Sequence, residues 1–258
     1  MRNVARTIAV GLIIAAIFPW SPASEALQKE SPSEILSAAA ERGARLQTEL
    51  RHYTYIAELT IQTVSQADIV TGKYYRVSRI SFDPGGNRRE RVLENSSTLP
   101  KDIYIGTETA ENLTRIYHFL VTSETLKQYE ISYVGRERID ELNTYVFDVK
   151  PRLKTGNLNR PDRSDKNVER YLKGRVWIDD EDHCVVKVAG EPVPEQNGHQ
   201  TPHQATHQVG KFETYYQNYG SSWFPAYTSA VDFIRVEGYF NRVVVNIRYT
   251  GYKKAGAK

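Results

Sequence analysis

The chain has 258 residues, of which 40% are hydrophobic and 25% are charged, which is an ordinary globular composition. The formal net charge of +3 includes Arg2 and Arg6, so removal of the leader described next leaves about +1 (3 minus 2) and excludes a basic, nucleic-acid-binding protein. The 17 Tyr favour strands, and the single Cys excludes an internal disulfide.

The N-terminus has the three-part pattern of a secretory signal peptide. Arg2 and Arg6 precede an apolar run at 8–20, and small residues follow. The run is shorter than the roughly 20 residues that span a bilayer, which favours a cleaved leader over an uncleaved anchor. Cleavage after Ala23 or Ala26 fits equally well, so the leader is expected to cover residues 1–26. Because no Cys lies near either site, we expect a soluble exported protein without an N-terminal lipid anchor.

A helix is predicted directly after the leader. Ser31, Pro32 and Glu34 have the spacing of a capping box with proline at the first helical position. The apolar residues with helical spacing are Ile35, Leu36, Ala39, Gly43, Leu46 and Leu50. One amphipathic helix of about four to five turns therefore precedes the strands.

From Tyr53 onward the apolar residues recur at every second position, which predicts strands. Strands are expected from residue 53 and again at 73–82. The basic, polar strand at 88–94 is typical of a sheet edge. We predict a loop with a short strand at 95–111 and a strand at 112–121, for which a short helix is the alternative.

Two hairpins follow. In the first, Tyr129, Ile131 and Tyr133 lie on one face of the strand at 127–134, and Tyr145 and Phe147 return on the next strand. The second hairpin, at 171–188, is the clearest of the chain. The alternating apolar residues of its two arms are Leu172, Val176, Ile178, Cys184, Val186 and Val188, and the acidic run at 179–182 between the arms marks a solvated turn.

The complete pattern predicts a mainly β (α+β) fold. Long loops are expected at 153–168 and 190–208, and three strands at about 210–219, 223–234 and 239–252 end the pattern. One helix and about nine to eleven antiparallel strands, with almost no further helix, make a sheet that has to curl. We therefore expect a single domain at 31–252, followed by a tail at 253–258. Its large curved antiparallel sheet would form an incomplete β-barrel with the N-terminal amphipathic helix as a lid.

Patterns for catalysis or metal binding are weak. His199, His203 and His207 are spaced by four, but Pro202 favours a solvated loop over a metal site. Cys184 is expected to be a buried thiol rather than a nucleophile. The acidic turn lacks the glycine and the alternating ligands of a calcium loop. We therefore predict no catalytic residue, metal or cofactor, and an envelope hydrolase is only a minor alternative.

Several stretches resemble one known family. They read Gly-Arg-Glu-Arg-Ile-Asp at 135–140, Tyr-Val-Phe-Asp-Val-Lys-Pro at 145–151, and Lys-Gly-Arg-Val-Trp-Ile-Asp at 173–179 with Val-Val-Lys-Val at 185–188. In these stretches the chain resembles the outer-membrane lipoprotein-sorting protein family of periplasmic carriers, over roughly 36–251. The resemblance implies an unclosed β-barrel whose helical lid covers an apolar cavity for acyl chains, and no enzymatic activity.

The leading hypothesis is a soluble periplasmic carrier that holds lipid or lipoprotein acyl chains between the curved sheet and the helix. Transient membrane contact and an envelope protein partner are compatible with it. The residues expected to bind lipid are Leu36, Leu46, Tyr129, Ile131, Tyr133, Tyr145, Phe147, Val176, Ile178 and Trp223. From sequence alone these apolar faces can equally be core. The alternative is therefore a cell-envelope structural or interaction protein with a filled core and loops that bind a partner.

Overall fold

The structure is a computed structural model that describes residues 30–152, 172–192, 208–220, 222–236 and 239–255. The predicted leader, the three spaced histidines and most of the two predicted long loops lie outside the described residues. From Pro32 onward, the described residues belong to one compact unit. None of the described helices combines the length and apolar character needed to cross a bilayer.

Over the described ranges the chain forms three helices and ten strands. The helices are α1 (Pro32–Leu50), α2 (Thr107–Ile116) and α3 (Ser123–Gln128). The strands are β1 (Tyr53–Val64), β2 (Val70–Phe82), β3 (Arg88–Ser97), β4 (Tyr129–Ile139), β5 (Leu142–Pro151), β6 (Leu172–Asp179), β7 (Val185–Pro192), β8 (Gln208–Tyr219), β9 (Ser222–Val236) and β10 (Tyr239–Lys254).

The ten described strands form one antiparallel sheet in the order β3-β2-β1-β10-β9-β8-β7-β6-β5-β4. All but one of its ladders join strands that are consecutive in the chain, and the exception joins β1 to β10. The sheet is thus an up-and-down ring that is open between β3 and β4. This confirms the predicted antiparallel sheet, its incomplete closure and the edge position of the basic strand.

One face of the sheet, which we call the inner face, is buried across eight strands. A single register row crosses it and consists of Phe147, Val176, Val188, Thr214, Thr228, Ile247, Leu59 and Arg76. Each of these residues is at most 3% exposed. The next row along the strands points the other way, because side chains alternate between the faces of a sheet. That outer row begins with Asp148 and Arg175 and is half-exposed to exposed.

Residues 98–128 join the two edge strands, and we call them the covering segment because they lie over the inner face. The segment includes α2 and α3, so the strand predicted at 112–121 is wrong, and so is the expected near absence of further helix. The buried residues Ala110, Leu113, Thr114 and Tyr117 follow the i, i+3, i+4, i+7 spacing of a helix face. The alternative of a short helix is confirmed for its first part.

Helix α1 packs against α3 of the covering segment and directly against β9. It begins at Pro32, as the capping pattern predicts, and its buried residues are Ile35, Ala39, Ala40 and Gly43. At Gly43 the helix touches the segment so closely that a Cβ atom would lie 2.0 Å from the carbonyl oxygen of Val121. Val121 itself is fully buried. Helix α1 therefore packs both on the covering segment and on the sheet.

Candidate functional site

Hydroxyl groups of the sheet hold the covering segment in place. The Tyr216 hydroxyl donates to the carbonyl oxygen of Phe119 at 3.1 Å and accepts from the N–H of Phe119 at 3.2 Å. The other two bonds run from Thr214 Oγ1 to the Tyr117 carbonyl (2.9 Å) and from the Tyr249 hydroxyl to the Thr114 carbonyl (3.2 Å). Four hydrogen bonds made by hydroxyls of β8 and β10 thus link the middle of the sheet to the covering segment.

Aromatic rings fill the same interface. The ring pairs between the segment or its flank and the sheet are Tyr117 with Phe212 at 5.1 Å, His118 with Tyr249 at 5.0 Å, and Phe119 with Tyr129 at 5.3 Å between centroids. All three separations fall in the range of favourable ring contacts. The site is therefore an apolar and aromatic wall that carries a few hydroxyls.

The titratable groups of this interface are uncharged at neutral pH. Burial raises the pKa of the Tyr216 and Tyr249 hydroxyls above their ordinary range. Burial, and then the charge of Arg88, lower the pKa of His118 to about 3. The two tyrosine hydroxyls therefore act as fixed hydrogen-bonding groups, and none of the three side chains acts as a proton carrier.

A charged cluster lies on the inner face where β2 meets β3. Its sheet residues are Arg76, Arg88 and Glu90, which we call the arginine cluster. The Glu90 carboxylate is 2.7 Å from Arg76 Nη2 and 2.8 Å from Arg88 Nη1, and it also accepts a bond from Ser78 Oγ at 2.7 Å. Burial opposes ionisation of Glu90, but the bonds from Ser78 and the two arginines outweigh it and lower the pKa of the carboxyl.

The covering segment contacts the arginine cluster through α2. Arg88 Nη2 donates to Thr114 Oγ1 at 2.9 Å, and Arg76 Nη2 lies 3.6 Å from Glu111 Oε1. The Glu111 side chain is 40% exposed, whereas those of Arg76 and Glu90 are 4% exposed. The seam between α2 and the sheet is therefore polar at this end and apolar elsewhere.

The structure places the ten predicted lipid-binding residues in three groups. Six are buried in the sheet, and they are Tyr129, Tyr145, Phe147, Val176, Ile178 and Trp223. Leu36, Leu46 and Ile131 are half-buried. Tyr133 is 37% exposed near the free edge of β4, where its ring lies 5.4 Å from that of Phe147.

Three of these aromatic residues have polar partners, and the first is Tyr145, whose hydroxyl accepts from Arg136 Nη2 at 2.8 Å. The Tyr129 hydroxyl accepts from the backbone N–H of Leu172 at 3.1 Å, close to the covering segment. Trp223 Nε1 donates to Asp182 Oδ2 at 3.0 Å, at the turn between β6 and β7. Tyr129 is thus part of the wall beneath the segment, whereas Trp223 secures a turn at the other end of the strands.

Sequence reasoning missed the hydroxyls and the arginine cluster. The available signal was a polar residue at an inner position of an alternating strand, as with Arg76 between the buried Tyr74 and Ser78. Thr214 and Tyr216 occupy inner positions of β8 in the same way. A buried polar position of this kind requires a partner, which here comes from the covering segment.

A cavity of about 880 Å³ lies over the outer face of β4 to β9. Its charged lining residues are Glu130, Asp148, Lys150, Lys173, Arg175, Glu191, Lys211 and Glu213. Opposite charges are neighbours there, with Arg175 Nε 2.9 Å from Asp148 Oδ1 and Lys173 Nζ 4.0 Å from Glu191 Oε1. Because acyl chains gain nothing from such walls, the candidate acyl site is the inner face, where the covering segment now lies.

The acidic turn and Cys184 have structural roles. Asp179 is buried, contrary to the predicted solvated run, because its Oδ2 accepts the backbone N–H groups of Glu181 (3.3 Å) and Asp182 (2.8 Å). Burial, and then the Asp182 carboxylate, raise the pKa of the Cys184 thiol to about 11. In the described part of the chain, no three His, Cys, Asp or Glu side chains are placed to hold a metal ion.

No protein-family profile and no curated protein matches the sequence. Solved structures do match. A LolA superfamily protein from Nitrosomonas europaea is 11% identical, with 89% of this chain and 96% of that chain covered and a TM-score of 0.36. An outer membrane lipoprotein-sorting protein domain from Vibrio parahaemolyticus is 12% identical, with 86% and 93% covered and a TM-score of 0.35. The Pseudomonas aeruginosa MucA/MucB complex gives 9% identity, 85% and 99% coverage and a TM-score of 0.25. The first two descriptions name the kind of protein that the sequence resembles.

Proposed function

We propose that the chain is a periplasmic carrier that binds the acyl chains of a lipid or lipoprotein on the inner face of its open sheet. The observation that supports this most is the opening of the ring between β3 and β4. The segment that connects these two edge strands covers the apolar inner face, and side-chain hydroxyls rather than a strand ladder hold it there. Such a cover can move aside without breaking the sheet, and cargo would enter beneath it.

The energy of acyl burial is sufficient for this exchange. Each buried methylene contributes about 0.8 kcal/mol, so about ten methylenes contribute about 8 kcal/mol. The four hydrogen bonds between the hydroxyls of β8 and β10 and the covering segment contribute about 1 kcal/mol each. Burial of an acyl chain can therefore offset the loss of these four bonds. The covering segment can then bury its apolar residues against the acyl chain.

The residues proposed to contact the acyl chains are buried residues of the inner face. They are Tyr129, Tyr145, Phe147, Val176 and Ile178. Leu36 and Leu46 on α1 would close over the cargo, and Ile131, Tyr133 and Trp223 would form the outer limits of the site. The carrier would have no enzymatic activity and would touch the membrane only to load or unload.

The Tyr216→Phe variant tests whether cargo displaces the covering segment. The change removes two hydrogen bonds to Phe119 and little volume, so the covered state loses about 2 kcal/mol relative to the open one. We expect up to about thirtyfold tighter binding of a pyrene-labelled diacylglycerol, because a larger fraction of the protein is binding-competent. Fluorescence titration of the purified protein measures the affinity.

Tyr215→Phe is the matched control. Tyr215 is the preceding residue on β8, and its hydroxyl donates to Glu213 on the outer face, at 2.7 Å. The affinity of Tyr215→Phe for the pyrene-labelled diacylglycerol should equal that of the wild type. No diacylglycerol binding by any of the three proteins would overturn the carrier function. Equal binding by all three would retain the carrier and overturn displacement of the segment.

A second candidate function is a cell-envelope interaction protein with a filled core. The burial of Tyr117 and Val121 at 1% and 0% favours it, because these residues occupy the space that cargo would need. In that case the loops would bind a protein partner and the segment would never leave. Amide hydrogen exchange separates the two candidates, because only a carrier should lose protection at 117–122 when lipid is added.

A further inference from the structure

On the sheet side of the arginine cluster, positive charges outnumber negative charges. Arg76 and Arg88 are opposed on the sheet only by Glu90, and all three side chains are at most 14% exposed. A buried charge without a partner is costly, so a second carboxylate is needed nearby. When the covering segment lies on the sheet, the nearest second carboxylate belongs to that segment.

Glu111 supplies that carboxylate, but loosely. Its Oε1 is 3.6 Å from Arg76 Nη2, compared with 2.7 Å for Glu90, and its side chain is 40% exposed. Because Glu111 belongs to α2, it leaves the cluster whenever the covering segment moves aside. The open state therefore has an uncompensated cation in the wall of an apolar site.

The other polar groups nearby do not restore the balance. Arg88 Nε and Arg115 Nε are buried and have no hydrogen-bond partner among the described residues. The side chain of Arg115 adds a further positive charge on α2. His118 is neutral, and its Nε2 is likewise buried without a partner in the described part of the chain. Hydrogen-bond donors are thus in excess both on the sheet and on α2.

We propose that an anionic group of the cargo, a phosphate or a carboxylate, takes the place of the Glu111 carboxylate at Arg76 and Arg88. The inference rests on the proposed carrier function and specifies its substrate class as acyl lipids with a negatively charged head group. Guanidinium groups suit this role because they bind such oxygens through two parallel N–H bonds. The acyl chains would then lie along the apolar row from Ile247 to Phe147.

The experiment compares two lipids with the same chains, dioctanoyl phosphatidylglycerol and the neutral dioctanoylglycerol, as competitors of the pyrene probe. The wild type should bind the anionic lipid about tenfold more tightly, because a charge-assisted bond replaces that of Glu111. In Glu111→Gln the preference should widen about threefold, because the competing carboxylate is gone. In Arg88→Gln the preference for the anionic lipid should disappear, while the neutral lipid still binds.

The partly exposed Glu111 makes Glu111→Gln a variant that should fold, and thermal melting checks both variants. Gln47→Ala, on the exposed side of α1, is the matched control and should keep the wild-type preference. Equal affinity of the wild type for the two lipids would overturn the anionic-cargo inference and leave the carrier function intact. Binding of neither lipid would overturn the carrier. If neither lipid binds, the binding of inorganic phosphate should be measured. Tighter phosphate binding by Glu111→Gln than by the wild type would then show that the arginine cluster is a site for a free anion.

Discussion

At the residue scale, a chain of hydroxyls connects the middle of the sheet to the covering segment. Thr214 Oγ1 lies 2.9 Å from both the Tyr117 carbonyl and Thr228 Oγ1, and both threonines are fully buried. Since Thr214 donates its one hydrogen to the carbonyl, Thr228 is the donor between the two hydroxyls. Consecutive bonds of this kind polarise and strengthen one another in a dry interior.

Glu90→Gln should be among the most destabilising single changes in the chain. It breaks buried ion pairs with Arg76 and Arg88, for which a loss of about 3 to 5 kcal/mol is expected. Because the pKa of Glu90 is lowered on folding, its contribution is present above the ordinary value of 4.5 and is lost as the pH falls through the folded-state pKa. Urea unfolding at pH 7 and pH 4 should show a gap between wild type and variant that narrows in acid.

Glu94→Gln, on the same strand but exposed, serves as the control and should change the free energy of unfolding by at most about 0.5 kcal/mol. A similar loss of stability in both variants would show that Glu90 has no special role.

The thiol of Cys184 should be almost inert in the native protein. With a pKa of about 11 instead of 9.0, the thiolate fraction at pH 8 is roughly a hundredfold lower than in the unfolded chain. We expect iodoacetamide to alkylate the folded protein about a hundredfold more slowly than the urea-unfolded protein, and the native rate to rise about tenfold per pH unit. The folded state holds this proton more tightly, so its contribution to stability is complete below pH 9 and is lost as the pH rises toward 11. Equal rates in both states would contradict the assigned burial.

At the element scale, α1 owes its position to small residues. Its buried stripe of Ile35, Ala39, Ala40 and Gly43 lets the helix backbone approach the turn between α2 and α3. A glycine inside a helix normally weakens it by about 1 kcal/mol relative to alanine. Here the missing side chain permits the contact with Val121, so that cost is offset by packing.

Gly43→Ala should therefore destabilise the protein despite the better helix propensity of alanine. The added methyl group would meet the Val121 carbonyl oxygen at 2.0 Å, and overpacking of this kind costs about 1 to 3 kcal/mol. Chemical denaturation measures the change, and the exposed Gln47→Ala on the same helix should be neutral or slightly stabilising. A more stable Gly43→Ala protein would mean that α1 does not press on the covering segment.

The elements with a clear local period could be predicted from the sequence, and the covering segment could not. Proline and the capping pattern placed the start of α1, and the alternation of Ala57, Leu59 and Ile61 placed β1. Between residues 107 and 121, the apolar residues of α2 run directly into Tyr117, Phe119 and Val121, which have the composition of a strand. Only the contacts with the sheet hydroxyls show that the helix ends at Ile116 and that an irregular turn follows.

At the scale of the whole molecule, the open ring creates a site whose walls and cover come from different parts of the chain. Curvature and incomplete closure follow from strand number, and so they could be predicted. The pairing of β1 with β10 could not, because no local signal links residues almost 200 positions apart, such as Thr54 and Lys253. The burial of six of the ten named residues could be predicted from the alternation of their strands, but the covering segment over the inner face could not.

The ladder between β1 and β10 also has a consequence for biogenesis. Residues Tyr53–Val64 cannot pair with this partner until Tyr239–Lys254 has been synthesised, so the ladder forms only after the nine other described strands have been made. Until then β1 and β9 each offer an unpaired, apolar edge of the type that recruits other chains. Translation products that stop before residue 239 lack β10 and should therefore aggregate or be degraded.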